Sequence, residues 1–167
     1  IPVYNGEKTL GRCLDSELDQ TCGNYEVIVV DNNSTDSTRE IIKTFQEKRE
    51  TVKYVFEPKR GRGAARNAGI RMAAGEIIVM TDADCIVPKN WIQEITKPII
   101  CDGEDATMGF EKDLINNYWT RNIQKANWKF FERSRRGKYI NDLDTKNFAI
   151  KTSLMKKLMF DPAMENM

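Results

Sequence analysis

Two aspartates one residue apart, Asp82 and Asp84, are the sharpest chemical feature of this chain. In an extended segment, side chains two positions apart point the same way. Both carboxylates can then face one hard cation such as Mg²⁺ or Mn²⁺, with a bound diphosphate adding further oxygen ligands. Without a cation between them the like charges repel and raise one pKa. A metal so held neutralises charge on a departing diphosphate. Spaced aspartates also occur by chance on surfaces. This pair stands out by position, because it follows the apolar run 77–80 and Thr81.

Asp31 occupies a similar place, after Val27, Ile28, Val29 and Val30 and before Asn32, Asn33 and Ser34. It reads either as an acceptor for a nucleobase or ribose, or as part of a turn that starts the next helix. Asn33 and Ser34 suit the capping role better, which leaves Asp31 for ligand contact. A third set is Gly61, Gly63, Arg66, Asn67 and Gly69, opening a helix. It is not the dinucleotide fingerprint, because Arg66 takes the place of the third glycine, and no P-loop occurs anywhere. Glycines at a helix N-terminus still suit an anion. Arg66 can pair with a phosphate or read a base carbonyl. Ala64, Ala65 and Ala68 serve close helix–sheet packing.

Much chemistry is excluded. The chain has no histidine, so Ser-His and Cys-His pairs are impossible. Cys13, Cys22, Cys85 and Cys101 form no CxxC pair, which speaks against zinc and for reduced cytosolic thiols. A net charge of +1 gives no bulk electrostatic case for nucleic acid. No apolar run approaches the roughly 18 residues of a membrane span, and no signal peptide is expected. Residues 121–139 interleave Trp128, Phe130 and Tyr139 with Lys125, Arg133 and Arg136. Such a stretch fits RNA, an anionic membrane surface, an acceptor groove, or a plain amphipathic helix with a solvated face.

The elements that must position these groups follow from periodicity. Helices are expected over residues 7–20 (Leu10, Leu14 and Leu18 as the buried stripe), after a Ser37/Glu40 capping box with Ile41, Ile42 and Phe45 as the apolar face, and over 64–74 stopped by Gly75. Further helices are expected from Pro88 onward, over 113–136, and after a Thr152 cap. Strands are expected at 1–3, 27–30, 52–56, 77–80, 106–110 and 148–150. Strands alternate with helices through the first 110 residues, which implies βαβ crossovers, a mostly parallel sheet and helices on both faces. The carboxyl ends of such strands share one edge, where open α/β sheets bind ligands. At 167 residues the chain fits one domain. Its opening reads as the end of a strand, and its close has no terminating pattern.

These residues together carry a resemblance. Ile1 to Asn5, Val29 to Asp36, Gly63 to Gly69 and Thr81 to Asp84 match, in order, the motifs of the family-2 glycosyltransferases. Those are inverting enzymes of GT-A fold. The match covers residues 1 to about 100, and its motifs are specific jointly. The resemblance implies hexosyl transfer from a nucleotide-diphospho-sugar, most often UDP-linked, to an acceptor hydroxyl of a glycan, lipid-linked or protein acceptor, as in polysaccharide biosynthesis. It implies Mn²⁺ or Mg²⁺ as cofactor. Pro2, Tyr4 and Asp31 would line the nucleoside pocket, Arg66 would lie beside the base, and Asp82 and Asp84 would hold ribose-diphosphate and metal. The stretch around Asn147 looks like the family's segment near donor sugar and acceptor. Phe160, Asp161 and Pro162 resemble the lead-in to the family's catalytic-base segment. Asp161 and Glu165 do not fit that segment, so the base is expected beyond Met167. Asp142 and Asp144 are loop candidates. The expected layout is one domain cut at both ends, with residues 1–100 as the donor half and 101–167 as an incomplete acceptor half. The expected location is cytoplasmic, with the inner membrane face as a peripheral contact.

Two other readings stay open. Nucleotidyl transfer uses a similar sheet, carboxylates and Mg²⁺, but normally needs a basic Gly-rich loop after the first strand, where Asn5, Gly6, Glu7 and Lys8 stand. A non-catalytic binding module would dock its aromatic-basic helix on a membrane or partner.

Overall fold

The computed structural model describes residues 1–110, 112, 124–125, 135–136, 139–140 and 144–161. Its first layer is organised by β2 (Val27–Asp31), whose side chains alternate between two covered faces. Val27 and Val29 pack with Leu10 and Leu14 of α1 (Leu10–Leu18) and Ile42 of α2 (Thr38–Lys48). Val30 and Ile28 pack with Ala65 and Ala68 of α3 (Arg62–Met72). Burial on both faces is why the run is apolar throughout. β1 (Pro2–Val3) and β3 (Val52–Phe56) flank β2 in parallel.

The second layer supplies the antiparallel strand of the expected, mostly parallel arrangement. β4 (Ile77–Met80) and β5 (Ala106–Met108) both pair antiparallel with β8 (Phe148–Lys151), which lies between them. A strand inserting from far along the chain leaves no mark in local patterning. α4 (Trp91–Cys101) lays Trp91, Ile95 and Ile99 on Ala149 of β8. Ile70 of α3 and Met155 of α5 (Thr152–Leu158) pack with Met80, Phe148 and Ile150. α3 therefore touches both sheets.

Several boundaries move. α1 is shorter than expected, and its buried stripe is Leu10, Cys13, Leu14 and Glu17 rather than one ending on Leu18. Ser37 makes no side-chain cap bond; Asp36 Oδ1 accepts from Thr38 N–H at 3.1 Å instead. α3 ends at Met72, with Ala73 extended, and the Gly75 carbonyl accepts from the Thr152 hydroxyl. α4 starts at Trp91, after a turn in which Trp91 N–H donates to Pro88 C=O. β6 (Arg135–Arg136) pairs antiparallel with β7 (Tyr139–Ile140), so a helix over 113–136 cannot reach its expected end. Gln124 and Lys125 are helical. The rest of that helix, and most of the aromatic-basic stretch, lies outside the described residues. Among the described residues, no helix is long and apolar enough to cross a membrane.

Glu17 is an acid on a buried stripe, 4% exposed, with Oε1 unpaired. Burial pushes its pKa up to about 7, with the Ile1 ammonium pulling the other way. The folded chain thus holds this proton more tightly than the unfolded one, whose glutamates titrate at about 4.3. The stability linked to Glu17 is complete below the unfolded value and is lost as pH rises to about 7. Urea unfolding of wild type and Glu17→Gln should therefore diverge with pH. The variant should gain roughly 2–3 kcal/mol on wild type between acid and neutral pH. Parallel pH profiles would contradict this.

Candidate active site

The parallel register of β1 and β2 sets the edge on which the site lies. Val3 stands opposite Asp31. Asn32 N–H donates to Val3 C=O at 2.8 Å. Tyr4 and Asp31 therefore leave their strands side by side. The loop after β1 is then fixed to the start of α2. Asn5 N–H donates to Ser34 Oγ at 3.0 Å, Gly6 N–H to Thr38 Oγ1 at 2.8 Å, and Glu7 N–H to Asp36 Oδ2 at 3.0 Å. Asn5 and Asn33 take φ of 50° and 62°, which asparagine tolerates better than most residues. A Cβ at Gly6 would sit 2.4 Å from Val3 Cγ2, so the loop closes only on glycine.

Asp31 is 2% exposed, and both carboxylate oxygens are bonded. Oδ1 accepts from Ser34 N–H at 2.9 Å, and Oδ2 accepts from Tyr54 O–H at 3.2 Å. The turn-making role expected of Asn33 and Ser34 thus belongs in part to Asp31 itself. Burial raises the Tyr54 phenol pKa, and the Asp31 charge adds to it. Two neighbours were not singled out from sequence. Asn32 is 6% exposed and ties down the loop before α3: its amide donates to Glu57 C=O at 3.1 Å, and its Oδ1 accepts from Gly61 N–H at 2.9 Å. Arg60, on that loop, places its guanidinium 3.4 Å from the centroid of the Tyr4 ring, which is 44% exposed. The signal for Asn32 was its place behind Asp31 at a strand end. Arg60 carried none.

Arg66 and Asp82 meet. Arg66 Nη2 lies 2.8 Å from Asp82 Oδ1, with side chains 10% and 29% exposed. Arg66 comes from the second turn of α3 and Asp82 from the segment after β4, so the pair bridges the two layers. Cys13 on α1 reaches the same segment, its thiol 3.6 Å from Asp82 C=O. Burial pushes that thiol up to about 12, so it is no nucleophile. All four cysteines are free.

Residues 82–85 form a turn, not an extended segment, with Cys85 N–H donating to Asp82 C=O at 3.1 Å. The alternation argument for Asp82 and Asp84 facing one way does not apply there. Asp82 is engaged by Arg66, while Asp84 is exposed. Among the described residues, no cluster of three His, Cys, Asp or Glu could hold a metal. One or two carboxylates plus substrate phosphates is nevertheless the usual donor set for Mg²⁺. The exposed Asp84 beside Asp82 fits a cation that arrives with a diphosphate better than a resident metal.

Asn147 has both polar ends of its side chain occupied. Oδ1 accepts from Trp91 Nε1–H at 2.8 Å, and Nδ2 donates to Phe110 C=O at 3.2 Å. It works as a tie between α4 and the end of β5. Asp144 is exposed and pairs with Lys146 at 3.3 Å. Asp142 and Glu165 lie outside the described residues. Asn67 grips the backbone of Phe160 from both sides, accepting from its N–H and donating to its C=O, each at 2.8 Å. That brings the Phe160 ring to 5.9 Å from the Arg66 guanidinium. Pro2 is half-buried in β1 and lines the same cavity as Arg66 and Thr81.

The profile of glycosyl transferase family 2 matches residues 1–159. The chain is 33% identical over 132 residues to glycosyltransferase GlyG of Streptococcus pneumoniae, covering 78% of this chain and 42% of that protein. It is 30% identical over 158 residues to an uncharacterized glycosyltransferase of Haemophilus influenzae, covering 94% of this chain and 60% of that protein. The chain thus spans less than two thirds of either relative. Among solved structures, S. aureus TarS in complex with UDP superposes with a TM-score of 0.74 at 22% identity, over 99% of this chain and 50% of that one. The Pyrobaculum calidifontis mannosyltransferase in complex with GDP-Man and Mn²⁺ superposes at 0.70 and 25% identity, over 94% and 44%. The fold shared with these structures is GT-A. By sequence profile and by relatives, this chain belongs to glycosyl transferase family 2.

Proposed function

We propose that this chain binds a nucleotide-diphospho-sugar, UDP-linked, across the edge formed by Tyr4, Asp31, Arg66, Asp82 and Asp84, and serves an inverting transfer of its sugar to an acceptor hydroxyl. The observation that carries the reading is the Arg66–Asp82 pair beside the parallel strand ends. Tyr4 and Arg60 offer stacking surfaces for the base. Asp31 and the Ser34 turn it holds close the base end. Arg66, expected beside the base, is read here as the cationic partner of the diphosphate instead, and Asp82 fixes the direction of its guanidinium. A divalent cation held by Asp84 and Asp82 would supply charge neutralisation on the leaving diphosphate. In the transfer, the acceptor oxygen forms a bond to the anomeric carbon as the bond to the diphosphate breaks on the opposite face. A base takes the hydroxyl proton. No described residue is assigned that role. The acceptor is a glycan, lipid-linked or protein hydroxyl, and the setting is cytoplasmic, at the inner membrane face.

One observation weighs against nucleotidyl transfer. The backbone N–H groups of Asn5, Gly6 and Glu7, which would have to cradle a triphosphate, all donate to side chains of the segment that starts α2. None of these three is left to face a ligand.

Calorimetric titration with UDP checks the reading. With Mn²⁺, wild type should bind at least about tenfold more tightly than without it, a difference of about 1.4 kcal/mol. Asp84→Ala should abolish that gain while leaving metal-free binding nearly unchanged. Arg66→Lys should weaken binding with and without metal, since an ammonium cannot reproduce the planar fork. Binding indifferent to metal and to both substitutions would refute the proposal, and pyrophosphate release from a nucleoside triphosphate would favour the nucleotidyl alternative.

A further inference from the structure

The chain from Thr152 to Asp161 runs back along α3, from its C-terminal end to its opening. The Thr152 hydroxyl donates to Gly75 C=O at 2.6 Å, and Lys156 Nζ donates to Ala73 C=O at 2.8 Å. Met155 then packs with Ile70. Phe160 is held by Asn67, and Asp161 lies against Gly63. Gly63, Asn67 and Ile70 follow helical spacing, so they form one face of α3. Ala65 and Ala68 use another face, against β2.

The first two contacts have a plain structural cause, because carbonyls at a helix C-terminus lack partners within the helix. Asn67 is different. It sits in the helix interior, where asparagine is a poor helix former, and it is 7% exposed. A buried amide is costly there unless both its ends are bonded. Both are, and both to one residue: Oδ1 accepts from Phe160 N–H, and Nδ2 donates to Phe160 C=O. Apolar packing alone tolerates sliding, whereas this pair of bonds fixes which residue lies at that point. The backbone bends to meet it. Met159 takes φ 49° with ψ 165°, a conformation sterically disfavoured for a residue with a Cβ. At Gly63 a Cβ would stand 3.3 Å from the Asp161 carbonyl oxygen and 3.5 Å from Phe160 Cβ. Strain of this kind persists only where surrounding contacts enforce it, and it gathers at ligand sites.

The clamp places the Phe160 ring, whose centroid lies 5.9 Å from the Arg66 guanidinium. Arg66 reaches Asp82 through Nη2, while its buried Nε has no partner among the described residues. A planar guanidinium held by one bond can pivot about it. An aromatic face within about 6 Å attracts the cation and restricts that pivot. We propose that Asn67 is a positioning residue for the diphosphate: by clamping Phe160 it keeps the ring against Arg66, and the guanidinium stays turned so that Asp82 takes one N–H and the others meet the donor. This rests on the donor-binding reading and extends it to a residue that acts through its neighbours.

Affinities for UDP, by calorimetry, and for uridine, by NMR titration, test the assignment, because UDP alone of the two carries the group that Arg66 answers. Asn67→Ala should weaken UDP binding about tenfold, within the range of coupling between residues in contact. Its uridine affinity should stay within about twofold of wild type, which also shows that the variant is folded. In an Arg66→Lys background, Asn67→Ala should change UDP binding by less than about twofold, because the group it positions is gone. Phe160→Leu keeps both backbone bonds to Asn67 and removes the ring, and it should reproduce the split between UDP and uridine. It carries the test by itself if Asn67→Ala does not fold. Equal losses for UDP and uridine, an effect that adds in full to that of Arg66→Lys, or wild-type UDP affinity in Phe160→Leu would overturn the proposal. Failure of the donor-binding reading looks different: wild type and Arg66→Lys would then bind UDP alike or not at all, and this inference would fall with it.

Discussion

Arg66 carries a full charge on a side chain only 10% exposed, and the site is built around what answers that charge. Removing a guanidinium from water costs several kcal/mol unless a partner with good geometry compensates. Asp82 does so at 2.8 Å. The partners belong to different layers: Arg66 to a helix packed on the parallel strands through Ala65 and Ala68, Asp82 to the segment after an antiparallel strand. Their pairing fixes one layer against the other at the edge where ligands of this fold bind. It also divides the labour of the two aspartates. Asp82 is committed to Arg66, and Asp84 presents its carboxylate to solvent.

Around that pair, asparagines and hydroxyls do the shaping. Asn5 bonds Thr35, Asn32 bonds the loop that leads into α3, and Thr38, fully buried, accepts from Gly6. Each satisfies backbone groups that strand and helix ends leave over. The result is a set of loops held by short bonds to rigid elements, which fixes the groups proposed to meet the donor. Tyr4 and Arg60 illustrate this. Neither is buried, yet both are anchored through neighbours: Tyr4 by the Val3–Asn32 bond, Arg60 by the Asn32–Gly61 bond.

Much of this was legible in the sequence, for physical reasons. A strand buried on both faces must be apolar throughout, so Val27 to Val30 and Ile77 to Met80 announce themselves, and the polar residue that follows marks the strand end. Asp31 closes the first run, and Asp82 follows the second one residue on. What stayed hidden depends on distant partners. That Phe148–Lys151 inserts antiparallel between β4 and β5 follows from tertiary packing, not periodicity. That Asp82 to Cys85 turns rather than extends, with Asp82 paired to Arg66 from a distant helix, has no local mark in the sequence. Asn147 resembled a ligand-side residue, and the Trp91 indole and the Phe110 carbonyl that occupy it come from remote positions. Glu17 sits at a helical spacing that the leucine stripe did not include, and only the packed structure shows it buried.

The central claim is spatial: groups from separate strand ends form one cleft for a nucleoside diphosphate and its cation. Crystals of this chain grown with UDP and Mn²⁺, measured at the manganese absorption edge, test it directly. The account predicts an anomalous peak beside the Asp84 carboxylate, a diphosphate between it and Arg66, and the base against Tyr4. A nucleotide bound elsewhere, or a manganese peak remote from Asp82 and Asp84, would contradict it.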